Sequence, residues 1–503
     1  MVSMNAGQLK SKITNSLWDV VDGDNDVLSA TLTGSFLNAN SLEGLSDIDF
    51  VLVVNGLNAT RFQRIINQCQ VALEPILAAS NYGLRINPTL GPLKFNEERL
   101  AVLHLMLYSP EAHVEHVINS PFTCLDWQQT GKHRKLSLEQ CYPAFRLQPR
   151  HFMSARRSIS EYLSDYRSRT VSFRELHCDD AGYHEVKRSK PMTERDRHEF
   201  AYHVIRFLMR NFLKIALPDQ PNSLSNIELL DEFHRWFPVS AEENANLFMA
   251  LSNMKVAVDF SKPLEHLDNR LELFLKTFEQ QFRDEFVEGA VQHIAFRHAP
   301  TALHHGDVRF IGRIDPPIDA EQLGDGSAWT DYSAFTPKRF LSSPMLRCRQ
   351  SLAFKFPTAT DVEIDSRIVE IDYGDCEGLT IAEARTRYPQ LFEAWSDDND
   401  PRFPNGESTH CVLDRIESFV DHQWASGKSS SAVCSHNVVL RCLIGRTLGI
   451  RQSDWHRIRV PYLTPIPFVR SKRFGVFVNL PPSLEMELFR DFQWKEELAE
   501  CKS

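Results

Sequence analysis

Strand and helix patterns alternate in two separate stretches of this chain, and a helical stretch lies between them. Residues 1–145 and 289–503 mix short β-branched runs with amphipathic segments, whereas residues 146–288 show mainly helical periodicity. Alternating strands and helices predict an α/β sheet covered by helices. One hydrophobic core seldom serves 503 residues, so we expect three domains with these boundaries.

The elements expected in the first stretch are two helices and four strands. They are helices Ala6–Val21 and Thr60–Ala79 and strands Ser29–Thr33, Ile48–Val54, Tyr82–Phe95 and Ala101–Tyr108. In the middle stretch, the apolar residues between Phe200 and Phe212 fall on one stripe, as in an amphipathic helix. The apolar run Val291–Phe296 then restores strand character, and strands and helices alternate from there onwards.

The charge balance and the apolar runs limit what this chain is expected to bind. The net charge is −10 and both signs are mixed along the chain, which disfavours a nucleic-acid-binding face. No apolar run approaches the roughly 18 residues that span a bilayer, and the first residues do not resemble a signal peptide. The ten cysteines form no CxxC pair, which fits reduced thiols. We therefore expect a cytoplasmic protein that does not bind a membrane and for which nucleic acid is a disfavoured partner.

Two aspartates in a strand-like run carry the first chemical signal. Asp47 and Asp49 are separated by one residue, so a strand would point both carboxylates to the same face. Paired carboxylates suit Mg²⁺, which in turn suits a nucleoside triphosphate. Gly34 and Ser35 follow an earlier strand, where a glycine lets phosphate approach the backbone and a serine adds a hydroxyl donor. Taken alone, the two aspartates could also be exposed positions on an edge strand.

About residues 25–110 resemble the DNA polymerase β-like nucleotidyltransferase superfamily. The resemblance is carried by Gly34-Ser35, the run Ser46–Asp49 and the apolar strand that it leads into. The resemblance implies an N-terminal α/β nucleotidyltransferase domain at residues 1–145. It implies that Asp47 and Asp49 hold Mg²⁺ and that Gly34 and Ser35 contact the triphosphate. The middle helical domain, residues 146–288, resembles the accessory bundles that supply acceptor contacts in small-molecule nucleotidyltransferases.

The chain departs from that family at one position. The family usually adds a third carboxylate from a later strand, but the run Ala101–Tyr108 offers His104 and no acid. Glu97 and Glu98 precede this run in an expected turn. Either another residue supplies the acid, or transferase activity is altered or lost.

The stretch FRHAPTALHHGD contains two candidates for one catalytic histidine, His298 and His305. Both surrounding triplets resemble the Arg-His-Gly triplet of histidine phosphatases, whose nucleophile follows a buried strand. Val291–Phe296 runs directly into Arg-His298, whereas Pro300 breaks the short run before His305. We therefore expect His298 to be the nucleophile. His304, His305 and Asp307 are expected to be loop or rim residues.

Later segments resemble further parts of the histidine phosphatase pattern, and the resemblance covers about residues 289–480. They are Gly312–Asp319, Ser342–Ser351, Glu370–Thr380, Phe403–Ser408 and Ala432–Arg441. The pattern is most similar to the phosphoglycerate mutase and α-ribazole phosphatase-like branch. It implies a three-layer α/β/α domain at residues 289–503, with Arg313 as a candidate secondary phosphate contact.

The resemblance assigns five residues to the phosphatase reaction. His298, as a neutral imidazole, would attack phosphorus and become phosphohistidine. Arg297 and Arg347 would grip phosphate oxygens as planar forks, and His436 would add a further donor. Glu377 would protonate the leaving oxygen and then activate water. This chemistry requires no metal.

The combined interpretation is a bifunctional enzyme. Its N-terminal half would transfer a nucleoside monophosphate from an NTP with Mg²⁺ to a small phosphorylated or hydroxylated acceptor, and its C-terminal half would hydrolyse a phosphomonoester. Two alternatives stay open. The N-terminal half could be a catalytically inactive nucleotide sensor that regulates the phosphatase, or the chain could process RNA ends.

Overall fold

A computed structural model shows a mixed α/β protein. It describes residues 6–37, 48–90, 99–154, 159–180, 182–218, 224–257, 259–260, 264–284, 290–324, 327–397, 399–426 and 429–495. The chain divides into two compact units, Met1–Gln281 with Phe492–Ser503, and Phe282–Asp491. The division into three domains stays a prediction. Among the described residues, none of the helices combines the length and the apolar composition that a membrane span requires.

The first unit contains a five-stranded sheet and a three-stranded sheet. Its strands are β1 (Val27–Thr33), β2 (Ile48–Val54), β3 (Gly83–Asn87), β4 (Thr89–Leu90), β5 (Leu100–Tyr108), β6 (Lys132–Lys135), β7 (Thr170–Asp179) and β8 (Gly182–Pro191). The larger sheet has the order β3-β5-β2-β1-β6, with β2, β3 and β5 parallel. Strands β1, β2 and β5 are buried along almost their whole length, which explains their near-continuous apolar sequences.

The first unit contains eleven α-helices among its described residues. Some belong to the first stretch of the chain, with the strands of the larger sheet, and the others belong to the middle stretch. The helices are α1 (Ala6–Asp22), α2 (Ala59–Ala78), α3 (Pro110–Asn119), α4 (Pro121–Thr130), α5 (Leu138–Cys141), α6 (His151–Ser154), α7 (Ile159–Ser168), α8 (Glu194–Ala216), α9 (Asn226–Trp236), α10 (Ala241–Ala257) and α11 (Leu267–Phe282). Helix α8 begins with a capping box, in which Thr193 and Asp196 bond each other's backbone N–H groups.

The expectation of helical structure in the middle stretch is wrong for residues 170–191. Strands β7 and β8 form a ten-pair antiparallel hairpin there, from Thr170 opposite Pro191 to Asp179 opposite Gly182. Most residues of β7 are only half-buried, and its buried positions are Val171, Ser172 and Leu176. The polar residues of this half-exposed hairpin obscured its period-2 pattern. Residues 91–98, which hold the end of the strand expected at Tyr82–Phe95, lie outside the described residues.

The second unit is built on a six-stranded sheet with the order β11-β10-β12-β9-β13-β14. Its strands are β9 (Val291–Arg297), β10 (Arg339–Ser342), β11 (Val362–Ile364), β12 (Ser431–Ser435), β13 (Ile466–Ser471) and β14 (Gly475–Val478). Its helices are α12 (Leu346–Lys355), α13 (Ile381–Arg387), α14 (Pro389–Ser396), α15 (Thr409–Phe419), α16 (Asn437–Leu448) and α17 (Pro482–Leu488). Strands β9 to β12 are parallel, and β13 and β14 run antiparallel to their neighbours.

The register of the parallel strands brings three chain segments to one edge of this sheet. Arg297 at the end of β9 lies opposite Ser435 at the end of β12, so the next residues, His298 and His436, emerge side by side. Strand β10 ends beside them, with Ser342 opposite Cys434. The carboxyl edge of a parallel sheet is where open α/β folds commonly bind ligands.

Candidate active sites

His298 is buried at the carboxyl end of β9. Its Nδ1 lies 2.6 Å from the Ala299 carbonyl oxygen, and its Nε2 lies 3.2 Å from Nε of Arg347. Because arginine N–H groups only donate and carbonyls only accept, the imidazole carries its proton on Nδ1 and a lone pair on Nε2. Burial, followed by the charges of Arg297 and Arg347, holds the pKa of His298 well below its ordinary value. A neutral imidazole with an available Nε2 lone pair can act as a nucleophile.

Arg347 is fully buried and is held rigidly beside His298. Its Nη1 donates to the Ile314 carbonyl at 2.7 Å, and its Nη2 donates to the Gly312 carbonyl at 2.8 Å. Nη1 also lies 3.3 Å from the Asp315 carboxylate. These bonds fix the guanidinium plane so that Nε points to the candidate nucleophile.

Glu377 organises the loop that holds Arg347. Its carboxylate accepts the backbone N–H groups of Gly312 at 3.1 Å, Arg313 at 2.7 Å, Ile314 at 3.3 Å and Tyr373 at 3.3 Å. A side chain at position 312 would clash with this carboxylate and with a neighbouring backbone carbonyl, so the loop requires glycine there. Glu377 therefore has a positioning function in the structure, and its expected proton transfer stays a prediction.

Glu370 is a buried carboxylate that the sequence patterns did not single out. It is only 4% exposed, and it accepts the backbone N–H of Val438 in the first turn of α16 at 3.2 Å. Burial raises the pKa of its carboxyl, although the charges of Arg347 and Arg297 act in the opposite direction. A carboxyl with a raised pKa can act as a general acid. An acid inside the apolar run Ile368–Ile371 was the available sequence signal.

Arg297 contributes a second guanidinium to the site. Its Nη1 donates to the Val460 carbonyl and its Nη2 to the Tyr462 hydroxyl, both at 3.0 Å, and the guanidinium lies 3.8 Å from the centre of the Tyr462 ring. Its Nε is buried and has no hydrogen-bond partner within the described part of the chain. Because an unsatisfied buried donor costs free energy, an acceptor at this position would stabilise the site.

His436 faces His298 from the end of β12. The two imidazole rings are 5.2 Å apart, and Nε2 of His436 lies 2.7 Å from the Ser343 hydroxyl and 3.3 Å from the Cys348 sulfur. Burial and the charge of Arg347 hold the pKa of His436 well below its ordinary value. A bound phosphate dianion would favour its protonated form, because opposite charges stabilise each other in a buried site.

The two histidines of the HHG triplet have different surroundings. His304 lies inside the site, with its ring 5.7 Å from that of His298 and 5.4 Å from that of Tyr462. Its Nδ1 accepts the Thr301 backbone N–H at 3.1 Å, which leaves the proton on Nε2. Burial lowers the pKa of His304 to about 4. His305 is exposed instead and lies 2.9 Å from the Asp319 carboxylate.

Arg313 already has partners on the surface of the second unit. Its guanidinium lies 3.4 Å from Glu407 and 3.9 Å from Asp372, and its side chain is exposed. A secondary phosphate contact by Arg313 would have to replace these ion pairs, so this expectation stays a prediction.

Gly34 and Asp49 lie together at the end of β1 and the start of β2, where Thr33 pairs with Asp49. Gly34 has a φ of +76°, and a Cβ there would clash with the Asp49 carboxylate. Only glycine combines this backbone conformation with such a close approach. Ser35 follows as an exposed residue in a single turn of 3₁₀ helix. Asp47 lies outside the described residues.

His104 occupies the neighbouring position on β5. Its Nδ1 lies 3.9 Å from the Asp49 carboxylate, and its Nε2 lies 3.1 Å from the side-chain nitrogen of Asn87 on β3. Because the amide nitrogen only donates, the imidazole proton is on Nδ1 and points toward Asp49. Asp49 offers Mg²⁺ one hard oxygen donor. Within the described ranges, no group of three His, Cys, Asp or Glu side chains could hold a metal ion.

Comparison with known proteins identifies a family for part of the second unit. Residues 294–472 match the family model of the histidine phosphatase superfamily, branch 1. The bifunctional protein Rv2228c of Mycobacterium tuberculosis is 29% identical over 171 residues, which are 33% of this chain and 47% of that protein. This chain therefore spans about half the length of its mycobacterial relative.

Two further proteins are similar to a comparable share of this chain. Phosphoserine phosphatase 1 of Hydrogenobacter thermophilus is 29% identical over 175 residues, which are 33% of this chain and 80% of that protein. The crystal structure of an α-ribazole phosphatase from Shigella flexneri covers 39% of this chain and 97% of its own, with 18% identity and a TM-score of 0.35. The C-terminal region of this chain is a domain of the histidine phosphatase superfamily.

Proposed function

We propose that the second unit hydrolyses phosphomonoesters through a phosphohistidine on His298. The observation that carries this proposal is the lone pair of the buried His298 Nε2, held 3.2 Å from Nε of Arg347. Nε2 attacks phosphorus and the bond to the leaving oxygen breaks. Arg297, Arg347 and His436 neutralise the charge on the remaining phosphate oxygens. Water then attacks the phosphohistidine and releases inorganic phosphate.

We assign the proton transfers to Glu370 in place of Glu377. The leaving oxygen takes the proton of the Glu370 carboxyl, and the resulting carboxylate accepts a proton from the attacking water. The burial and the raised pKa of Glu370 support this assignment. The carboxylate of Glu377 already accepts four backbone N–H groups, so protonating it would disrupt the loop that positions Arg347.

The substrate of this site is expected to be a small phosphorylated metabolite. We expect the full chain to release phosphate from at least one member of a panel of phosphorylated amino acids, hydroxy acids, sugars and nucleotides. Mass spectrometry of substrate and product, together with a free-phosphate assay, measures the reaction. Absence of phosphate release from p-nitrophenyl phosphate and from the whole panel would contradict the phosphatase proposal.

We further propose that the first unit binds a nucleoside triphosphate with Mg²⁺ and transfers its nucleoside monophosphate to a small acceptor. The close approach of Gly34 to the Asp49 carboxylate supports this proposal. It places the backbone that would contact the triphosphate beside the carboxylate that would hold Mg²⁺. Asp49, together with Asp47, would hold Mg²⁺, which neutralises triphosphate charge when bound. His104 in place of an acid favours a second candidate, a nucleotide sensor without transferase activity.

Pyrophosphate release distinguishes these two functions of the first unit. If the unit is a transferase, we expect pyrophosphate from one NTP and a suitable acceptor, and we expect Asp49→Asn to lower that rate about 100-fold or more. His298→Ala is the matched control and should leave pyrophosphate release intact. If Asp49→Asn changes only the response of phosphatase activity to NTPs, the unit is a sensor. A shift of tRNA in a gel would instead favour RNA-end processing.

A further inference from the structure

Helix α8 carries three cations on one stripe of its surface. Arg206, Arg210 and Lys214 are spaced four residues apart, so their side chains lie one above the other along the helix. Asp126 on α4 contacts Lys214 and lies 3.3 Å from Nη2 of Arg210, both through its Oδ1 atom. We call the three basic side chains the α8 cation face.

The α8 cation face has more positive charge than its surroundings neutralise. Asp126 is the one carboxylate that pairs with it among the described residues, which leaves an excess of two positive charges. Within the same residues Arg206 has no ion-pair or hydrogen-bond partner, and its Nε is buried. Like charges four residues apart on a helix repel each other, and a buried donor without an acceptor costs free energy.

This face is also partly withdrawn from solvent. The side chain of Lys214 is 9% exposed and that of Arg210 is 28% exposed. Burial, followed by the charge of Arg210, lowers the pKa of Arg206. Burial also lowers the pKa of Lys214, although its contact with Asp126 acts in the opposite direction. Partly buried charges are screened by salt less than exposed ones, so an anion bound here would be attracted strongly.

We propose that the α8 cation face binds the phosphoryl group of an anionic ligand. Two excess positive charges match a phosphate dianion. The two guanidinium groups supply planar donors that suit phosphate oxygens, and the lysine supplies a point charge. This site is separate from the residues assigned to the two reactions above.

Calorimetric titration of the full chain with inorganic phosphate tests this site, with ATP in the presence of EDTA as a second probe. Sodium chloride keeps the ionic strength constant. Arg206→Met retains the apolar stem and removes the charge, so we expect it to weaken one binding event about tenfold or more. The matched control is Arg235→Met, which removes an exposed arginine paired with Glu232 on α9 and should leave that event unchanged.

Thermal unfolding separates ligand binding from a structural function of Arg206. We expect the Tm of Arg206→Met without phosphate to be at least that of the unchanged protein, because an unpaired cation is removed. We also expect the variant to lose part of the phosphate-dependent rise in Tm. A response to inorganic phosphate identifies a site for the free ion, and a response to ATP alone identifies a ligand-borne phosphoryl group. Identical titrations of the variant and the unchanged protein with both probes would overturn the proposal.

Discussion

Replacing His298 by alanine is expected to lower kcat for hydrolysis of p-nitrophenyl phosphate by about 1,000-fold or more. The substitution removes the Nε2 lone pair that attacks phosphorus, which is held 3.2 Å from Nε of Arg347. His305→Ala removes an exposed imidazole paired with Asp319, so we expect kcat to change by about twofold at most. Steady-state assays of the two variants, made on folded protein, measure the difference.

The covalent intermediate provides an independent test of the same assignment. Rapid acid-free quenching of a reaction with labelled substrate should give a phosphoprotein whose label is stable in alkali and lost in acid, as expected for a phosphorus–nitrogen bond. Peptide mass spectrometry should locate the phosphate on His298. Label on His305, or full activity of His298→Ala, would contradict the assignment of the nucleophile.

The elements that support this site follow from local sequence patterns. The apolar run Val291–Phe296 predicts a buried strand, and the strand is present as β9 with the expected His298 just beyond its end. The apolar run Ile48–Val54 likewise predicts β2. Such runs are informative because a central strand buries both faces, so nearly every residue must be apolar.

The sequence predicts the side chains of the site less completely than its strands. Loop conformation decides which side chains point into the site, and residue spacing along the chain does not predict that conformation. His304 and His305 are adjacent, yet one faces His298 and the other pairs with Asp319. Glu370 and Glu377 lie in one short segment, and the family resemblance points to Glu377. Only the fold shows that one carboxylate is buried near the arginines while the other holds a loop.

Glu370→Gln is expected to lower kcat about 100-fold or more for an alkyl phosphomonoester, because an amide cannot donate the proton that an alkoxide leaving group needs. The loss should be smaller for p-nitrophenyl phosphate, whose leaving group is stable as an anion. Initial rates with both substrates measure this difference. A purely structural effect would lower both rates by the same factor, and this result would contradict proton donation by Glu370.

Glu377→Gln is the matched control, since the two side chains change in the same way. An amide can accept fewer of the four backbone N–H groups, so we expect a lower Tm and an equal loss of rate on both substrates. The pH profile separates the two carboxyls further. Because burial raises the pKa of Glu370, its protonated form persists to a higher pH, and alkyl phosphate hydrolysis should fall as pH rises through that value. Glu377→Gln should retain this fall, whereas in Glu370→Gln it should disappear because no titrating proton donor remains.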